Sequence, residues 1–147
     1  MKRPAVITIR ATQSAGDEAE TTELVTEGNF GWQGGRAFLT YQETVATGFE
    51  GDTTTLRIEG EQKATLLRFG DSRTRLIVEP GRRHQCQYDT GTGILELEIV
   101  GREIQNHLTA EGGEVELVYH IDCAHTLLAV NRVHISVRLR DRSFLPE

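Results

Sequence analysis

The feature that most constrains this chain is its rhythm. Short runs alternate apolar and polar residues, and turn signals rich in glycine cut them at intervals of about 8–12 residues. Alternation of period two sends successive side chains to opposite faces of an extended strand, so one face can be buried and the other solvated. Over residues 5–12, Ile7, Ile9 and Ala11 alternate with Thr8, Arg10 and Thr12. Leu95, Leu97 and Ile99 alternate with Glu96 and Glu98. Val115, Leu117, Tyr119, Ile121 and Cys123 share a face of a later strand. Val133, Ile135, Val137 and Leu139 do so in the last, opposite His134, Ser136, Arg138 and Arg140. Glu18-Ala19-Glu20 could make a helical turn but has no apolar stripe, and no other stretch reads as a helix.

The punctuation sets the boundaries. Gln33-Gly34-Gly35-Arg36 is the clearest hairpin, because paired glycines supply the positive φ of a tight turn. Gly60-Glu61, Gly70-Asp71-Ser72, Pro80-Gly81, Gly91-Thr92-Gly93 and Gly112-Gly113 mark further turns. They separate predicted strands at 22–32, 37–44, 53–59, 63–69, 74–79, 82–90, 94–100 and 104–109. Gly28 is a bulge or a point of close approach, while 13–20 and 49–52 read as loops. Short hairpin connections favour up-and-down order. The expectation is an all-β fold: a single antiparallel β-barrel of about 8–10 strands, one domain over residues 1–147. A chain of this length buries roughly 70% of its unfolded surface, enough for a core without staples.

Charge and cysteine content limit the function classes. A formal net charge of -6 argues against nucleic acid or an anionic membrane as partner. No window approaches the roughly 18 apolar residues of a spanning helix. The opening Met1-Lys2-Arg3-Pro4-Ala5-Val6-Ile7 lacks the apolar run of a secretory signal, so a cytoplasmic location is expected. Cys86 and Cys123 are then free thiols. Acids crowd the N-terminal part (Asp17, Glu18, Glu20, Glu23, Glu27) and arginines the C-terminal part (Arg132, Arg138, Arg140, Arg142). Solvated strand faces account for this asymmetry; a patch for an acidic partner is the sharper alternative.

Alternation also singles out polar residues on faces that should be apolar. Glu43 shares the phase of Leu39 and Tyr41, and Arg68 that of Ala64 and Leu66. Tyr88 shares the phase of Cys86, together with His84 and Thr90. Tyr41, Glu43, Arg68, Tyr88 and Tyr119 therefore form a candidate inward polar set. A buried unpaired charge costs several kcal/mol, so Glu43 and Arg68 should be paired or hydrated. Three readings stand: strand ends reaching solvent, a structural pair closing the core, or a pair that anchors a ligand.

Other motifs carry little. Asp89-Thr90-Gly91 matches the aspartic-protease triplet, but that chemistry needs two carboxylates sharing a proton, and the flanking residues read as a hairpin turn. His84, His107, His120, His125 and His134 show no strong metal-ligand spacing, so neither a metal nor a cofactor is expected. There is no phosphate-binding glycine loop and no nucleophile elbow. Phe30 and Trp32 could form a platform at a barrel mouth, although ordinary packing explains them.

An ordered series of short motifs carries a resemblance. These are Leu24-Val25-Thr26-Glu27-Gly28-Asn29-Phe30, Leu39-Thr40-Tyr41-Gln42-Glu43-Thr44, Thr54-Thr55-Leu56-Arg57-Ile58, Leu66-Leu67-Arg68-Phe69-Gly70, Tyr88-Asp89-Thr90-Gly91-Thr92-Gly93 and Gly113-Glu114-Val115-Glu116-Leu117-Val118-Tyr119. In this order they resemble the YwiB-like family, uncharacterised bacterial proteins with a lipocalin-like, calycin-type β-barrel. The resemblance spans nearly the whole chain. It implies a fold and a bacterial cytosolic origin but no reaction, and its recurring positions include those of Glu43, Arg68 and Tyr88. Gly31-Trp32 lies beyond the first strand, unlike the opening signature of secreted lipocalins, so their ligand chemistry is not implied.

The leading expectation is a non-enzymatic protein that binds a small apolar or anionic ligand in a barrel cavity, with Arg68 meeting a carboxylate or phosphate beside Tyr41 and Tyr88. A structural or regulatory interaction module with a filled barrel is the alternative, using a strand edge or the basic C-terminal stripe. An enzyme using Glu43 as general acid or base ranks last. Strand edges leave a homodimer open.

Overall fold

The computed structural model describes residues 2–43, 51–70, 73–89 and 92–140. They form ten strands: β1 (Lys2–Ala15), β2 (Glu18–Gln33), β3 (Arg36–Gln42), β4 (Thr53–Glu59), β5 (Lys63–Phe69), β6 (Thr74–Val78), β7 (Arg83–Asp89), β8 (Ile94–Asn106), β9 (Gly112–Cys123) and β10 (Thr126–Leu139). The described residues contain no helix. The strands hydrogen-bond in the order β6-β5-β4-β3-β2-β1-β10-β9-β8-β7, all antiparallel. Each ladder joins strands consecutive in sequence except β1–β10, which brings the two ends of the chain together. β6 and β7 lie side by side without a ladder, so the up-and-down barrel is nearly closed, with one seam.

A meander of this kind has two distinct ends. Odd-to-even connections, such as β1–β2 and β9–β10, gather at one; even-to-odd connections, the start of β1 and the end of β10 gather at the other. Along β1 the inward residues Ala5 and Ile7 are fully buried at the second end. Ile9 and Ala11, nearer the first end, are only half-buried. β10 repeats the trend from Val137 and Ile135, both buried, to the half-buried Val133. Phe30, Ala37, Leu39, Ile58, Ile104, Leu108 and Val115 complete a packed plug, with Trp32 and Leu139 against it.

Several predicted boundaries shift, each for a physical reason. Residues 13–20, expected as a loop, extend the first hairpin: Ala15 pairs with Glu18 around Gly16-Asp17. Both faces are solvated there, so the ladder runs on without the apolar face that sequence patterning relies on. The run 94–100 and the first part of the run 104–109 belong to one strand, which has a bulge between Gly101 and Glu103 and ends at Asn106. Gly101 is required there, because a side chain would strike the Glu79 backbone at 2.3 Å. Its N–H donates to the Arg82 carbonyl and its carbonyl accepts from the Gly81 N–H, both at 3.0 Å, which ties the β6–β7 connection to β8 at the even-to-odd end of the seam. Gly112-Gly113 is the start of β9 rather than a turn, and the turn itself runs from Thr109 to Gly112. The expectations for Thr44, residues 49–50, Asp71-Ser72 and Thr90-Gly91 lie outside the described residues.

Candidate functional site

All five residues of the candidate set, Tyr41, Glu43, Arg68, Tyr88 and Tyr119, line one cavity of about 540 Å³. They include every tyrosine of the chain. Most of the remaining wall is aliphatic: Ile9, Leu24, Leu56, Leu66, Leu117 and Val133 are among its residues. The exposed Thr22 and Glu23 also line it, so the cavity reaches solvent at the odd-to-even end, here called the mouth.

Strand register builds the polar cluster. Tyr41 pairs with Thr54, and Thr54 with Arg68, so three inward side chains lie abreast on β3, β4 and β5. Glu43 sits two residues past Tyr41, where its N–H donates to the Asp52 carbonyl at 2.8 Å. The Thr54 hydroxyl donates to the Glu43 carboxylate. Arg68 donates from Nε to Thr54 Oγ1 at 3.3 Å and from Nη2 to Glu43 Oε2 at 3.4 Å. The side chains of Glu43 and Arg68 are 2% and 12% exposed. The reading in which they reach solvent from strand ends is therefore corrected: each is screened by flanking strands and satisfied by the other. Thr54, unread in the sequence, belongs with them; its signal is its shared phase with Leu56 and Ile58.

Two tyrosines are pushed firmly into the neutral form. Burial raises the Tyr41 phenol well above its usual range and the Glu43 charge adds to this, while Arg68 and the Thr54 hydrogen bond oppose it. Burial likewise raises Tyr119, opposed by a hydrogen bond from Asn131. Asn131 Nδ2 donates to the Tyr119 oxygen at 3.2 Å across the β9–β10 ladder. Burial also raises the Cys86 thiol, keeping it protonated, whereas Cys123 is exposed.

Gly28 explains how Tyr41 is placed. A side chain there would meet the Thr40 carbonyl at 2.3 Å and Tyr41 Cβ at 3.0 Å. The register through Gly28 is continuous, so of its two expected roles it takes that of close approach. His84 is half-buried and meets Glu79 at 2.9 Å, away from the cavity set. The C-terminal arginines partly pair within the chain: Arg132 with Glu116, and Arg140 with Glu27 at 2.7 Å. Among the described residues, no three His, Cys, Asp or Glu side chains gather in a way that could hold a metal ion. No helix there is long and apolar enough to cross a membrane.

A family model described as a domain of unknown function, DUF1934, matches residues 7–135. The chain belongs to this family. The fold of this DUF1934 member is similar to that in the crystal structure of the ywiB protein from Bacillus subtilis, with a TM-score of 0.79 over 95% of this chain and 94% of that one. Their sequences are 17% identical, so the likeness speaks for the fold. It meets the expectation of a YwiB-like barrel. No curated protein matches the chain.

Proposed function

We infer that this protein is a binding protein for a small, largely apolar molecule, held in the barrel cavity with its polar end at the Tyr41, Glu43, Arg68, Tyr88 and Tyr119 set. One observation carries the reading: a cavity of about 540 Å³ with mainly aliphatic walls and one polar corner. Pockets for small ligands are typically about 300–1,000 Å³ and are built in this way. Glu43, Thr54 and Arg68 hydrogen-bond to one another, as a fixed recognition surface requires. Binding without catalysis, in the cytoplasm, is the proposal. A filled barrel, which the interaction-module alternative needs, sits poorly with a cavity of this size.

Native mass spectrometry of the purified protein tests the reading. A co-purifying species of a few hundred daltons, released on denaturation, is the expected result. A ligand-free protein that also fails to take up a neutral fluorescent apolar probe would overturn it.

One observation favours a further interaction. Phe69, Ile94, Leu95, Leu127 and Leu128 are exposed and stand at mouth-end strand termini. A homodimer through this rim is the corresponding proposal, and sedimentation that shows a monomer at all concentrations would remove it.

A further inference from the structure

The Tyr119 hydroxyl has a hydrogen to give. Tyr119 is 8% exposed and lines the cavity. Its oxygen accepts from Asn131 Nδ2, and among the described residues its own hydrogen meets no acceptor. Asn131 Oδ1 is buried beside it and also has no partner. Buried donors and acceptors are rarely left unmet. Of the two, Tyr119 lines the cavity, so its phenol is the donor offered there.

Charge decides what kind of acceptor fits. Among the described residues, the charged ones lining the cavity are Glu23, Glu43 and Arg68. Glu43 and Arg68 already balance each other inside, while Glu23 stands at the mouth and reaches Arg10 only at 3.9 Å. Asp17, Glu18 and Glu20 are exposed at the same end, on the β1–β2 hairpin. An anion entering here passes acidic residues and, among the described lining residues, meets a cation already shared with Glu43. An uncharged hydroxyl or carbonyl incurs neither cost.

We propose that the cavity selects an uncharged amphipathic ligand whose hydroxyl or carbonyl oxygen accepts the hydrogen bond of Tyr119, with its apolar body against the aliphatic wall. This rests on the binding reading and narrows it, setting aside the anionic head group expected from Arg68 alone.

Three molecules of matched size separate the possibilities: hexylbenzene, 6-phenylhexan-1-ol and 6-phenylhexanoate. Each is titrated at pH 8 against the neutral probe N-phenyl-1-naphthylamine bound to the full-length protein. The alcohol is expected to displace the probe about tenfold better than the hydrocarbon, the gain typical of satisfying a buried donor. The carboxylate is expected to be weaker than the alcohol. In Tyr119→Phe the advantage of the alcohol over the hydrocarbon should vanish while hexylbenzene still competes, which separates a lost hydrogen bond from a damaged fold. A carboxylate stronger than the alcohol in the wild-type protein would overturn the proposal without needing the variant. So would an alcohol-to-hydrocarbon ratio unchanged in Tyr119→Phe. If the wild-type protein does not bind the probe at all, the binding reading itself fails.

Discussion

The two ends of this barrel are built from the same strands and the same alternation, yet they do opposite things. At the closed end Ala5, Ile7, Phe30, Ala37, Ile58 and Val115 fill the space between strands, with at most 1% exposure each. Toward the mouth the same inward phase carries Ile9, Leu24, Tyr41, Leu66, Arg68 and Tyr119, and these surround a cavity instead of meeting across it. The difference lies in what stands opposite. Phe30 is a large side chain at the closed end, and Trp32 packs against the same plug. At the mouth the long β1–β2 hairpin runs on into solvent, and three strands spend inward positions on Glu43, Thr54 and Arg68, which pair along the wall. Inward-facing and packed are thus separate properties.

The contrast is broken most directly by truncating one residue at each end. Phe30→Ala should cost about 3–5 kcal/mol, because a fully enclosed ring leaves a void that the plug cannot refill. Leu66→Ala, on the cavity wall, should cost only about 1–2 kcal/mol, since that side chain gives up fewer contacts. Equal losses in urea denaturation would mean that both ends are packed alike. Nearly as large is Glu43→Ala, expected to cost about 3–5 kcal/mol by leaving Arg68 buried without its partner. Replacing both together, Glu43→Leu with Arg68→Met, should cost much less, because neither charge is then stranded. A thermal melt unmoved by Glu43→Ala would show that the pair contributes nothing to the mouth half.

The pH dependence sharpens the same comparison. Tyr41 and Tyr119 have phenols raised above the ordinary value of 10.0, so the unfolded chain gives up these protons before the folded one does. Their contribution is fully present below about pH 10 and is lost as pH rises above it, at up to about 1.4 kcal/mol per pH unit for each tyrosine. Tyr41→Phe should flatten this alkaline decline in denaturant titrations between pH 9 and 11. An unchanged slope would show that the phenol is not held neutral by burial. The smallest effect belongs to the β9–β10 turn, where Ala124 and His125 have φ of 51° and 67°. Ala124→Gly removes a left-handed strain of about 1–2 kcal/mol but loosens the unfolded chain, for a net gain below about 1 kcal/mol in thermal stability.

That turn also shows why some of the structure was hidden in the sequence. Gln33-Gly34-Gly35-Arg36 was legible because glycine is the ordinary solution for φ of 59° and 80°. Ala124-His125 makes its turn without glycine and left no signal. The separate strands expected at 94–100 and 104–109 are the converse case: Gly101, between them, serves the close passage of the Glu79 backbone over a continuous β8. Within the site, Tyr41, Glu43, Arg68, Tyr88 and Tyr119 were legible because parity along a strand gives direction. Thr54 and Asn131 were not, because a threonine or asparagine on an apolar phase gains meaning only from the residue across the ladder.

By itself, the sequence determined the strand-forming alternation, most of the turns and the inward sense of the five polar residues. Each of these follows from local rules: two-residue periodicity, and the freedom of glycine at positive φ. Only the tertiary structure decided that those residues meet in one cavity, that Thr54 joins Glu43 to Arg68, and that Asn131 donates to the Tyr119 oxygen. Those facts depend on which residues stand opposite one another across ladders and across the barrel. Register and closure set that, and no single strand contains it.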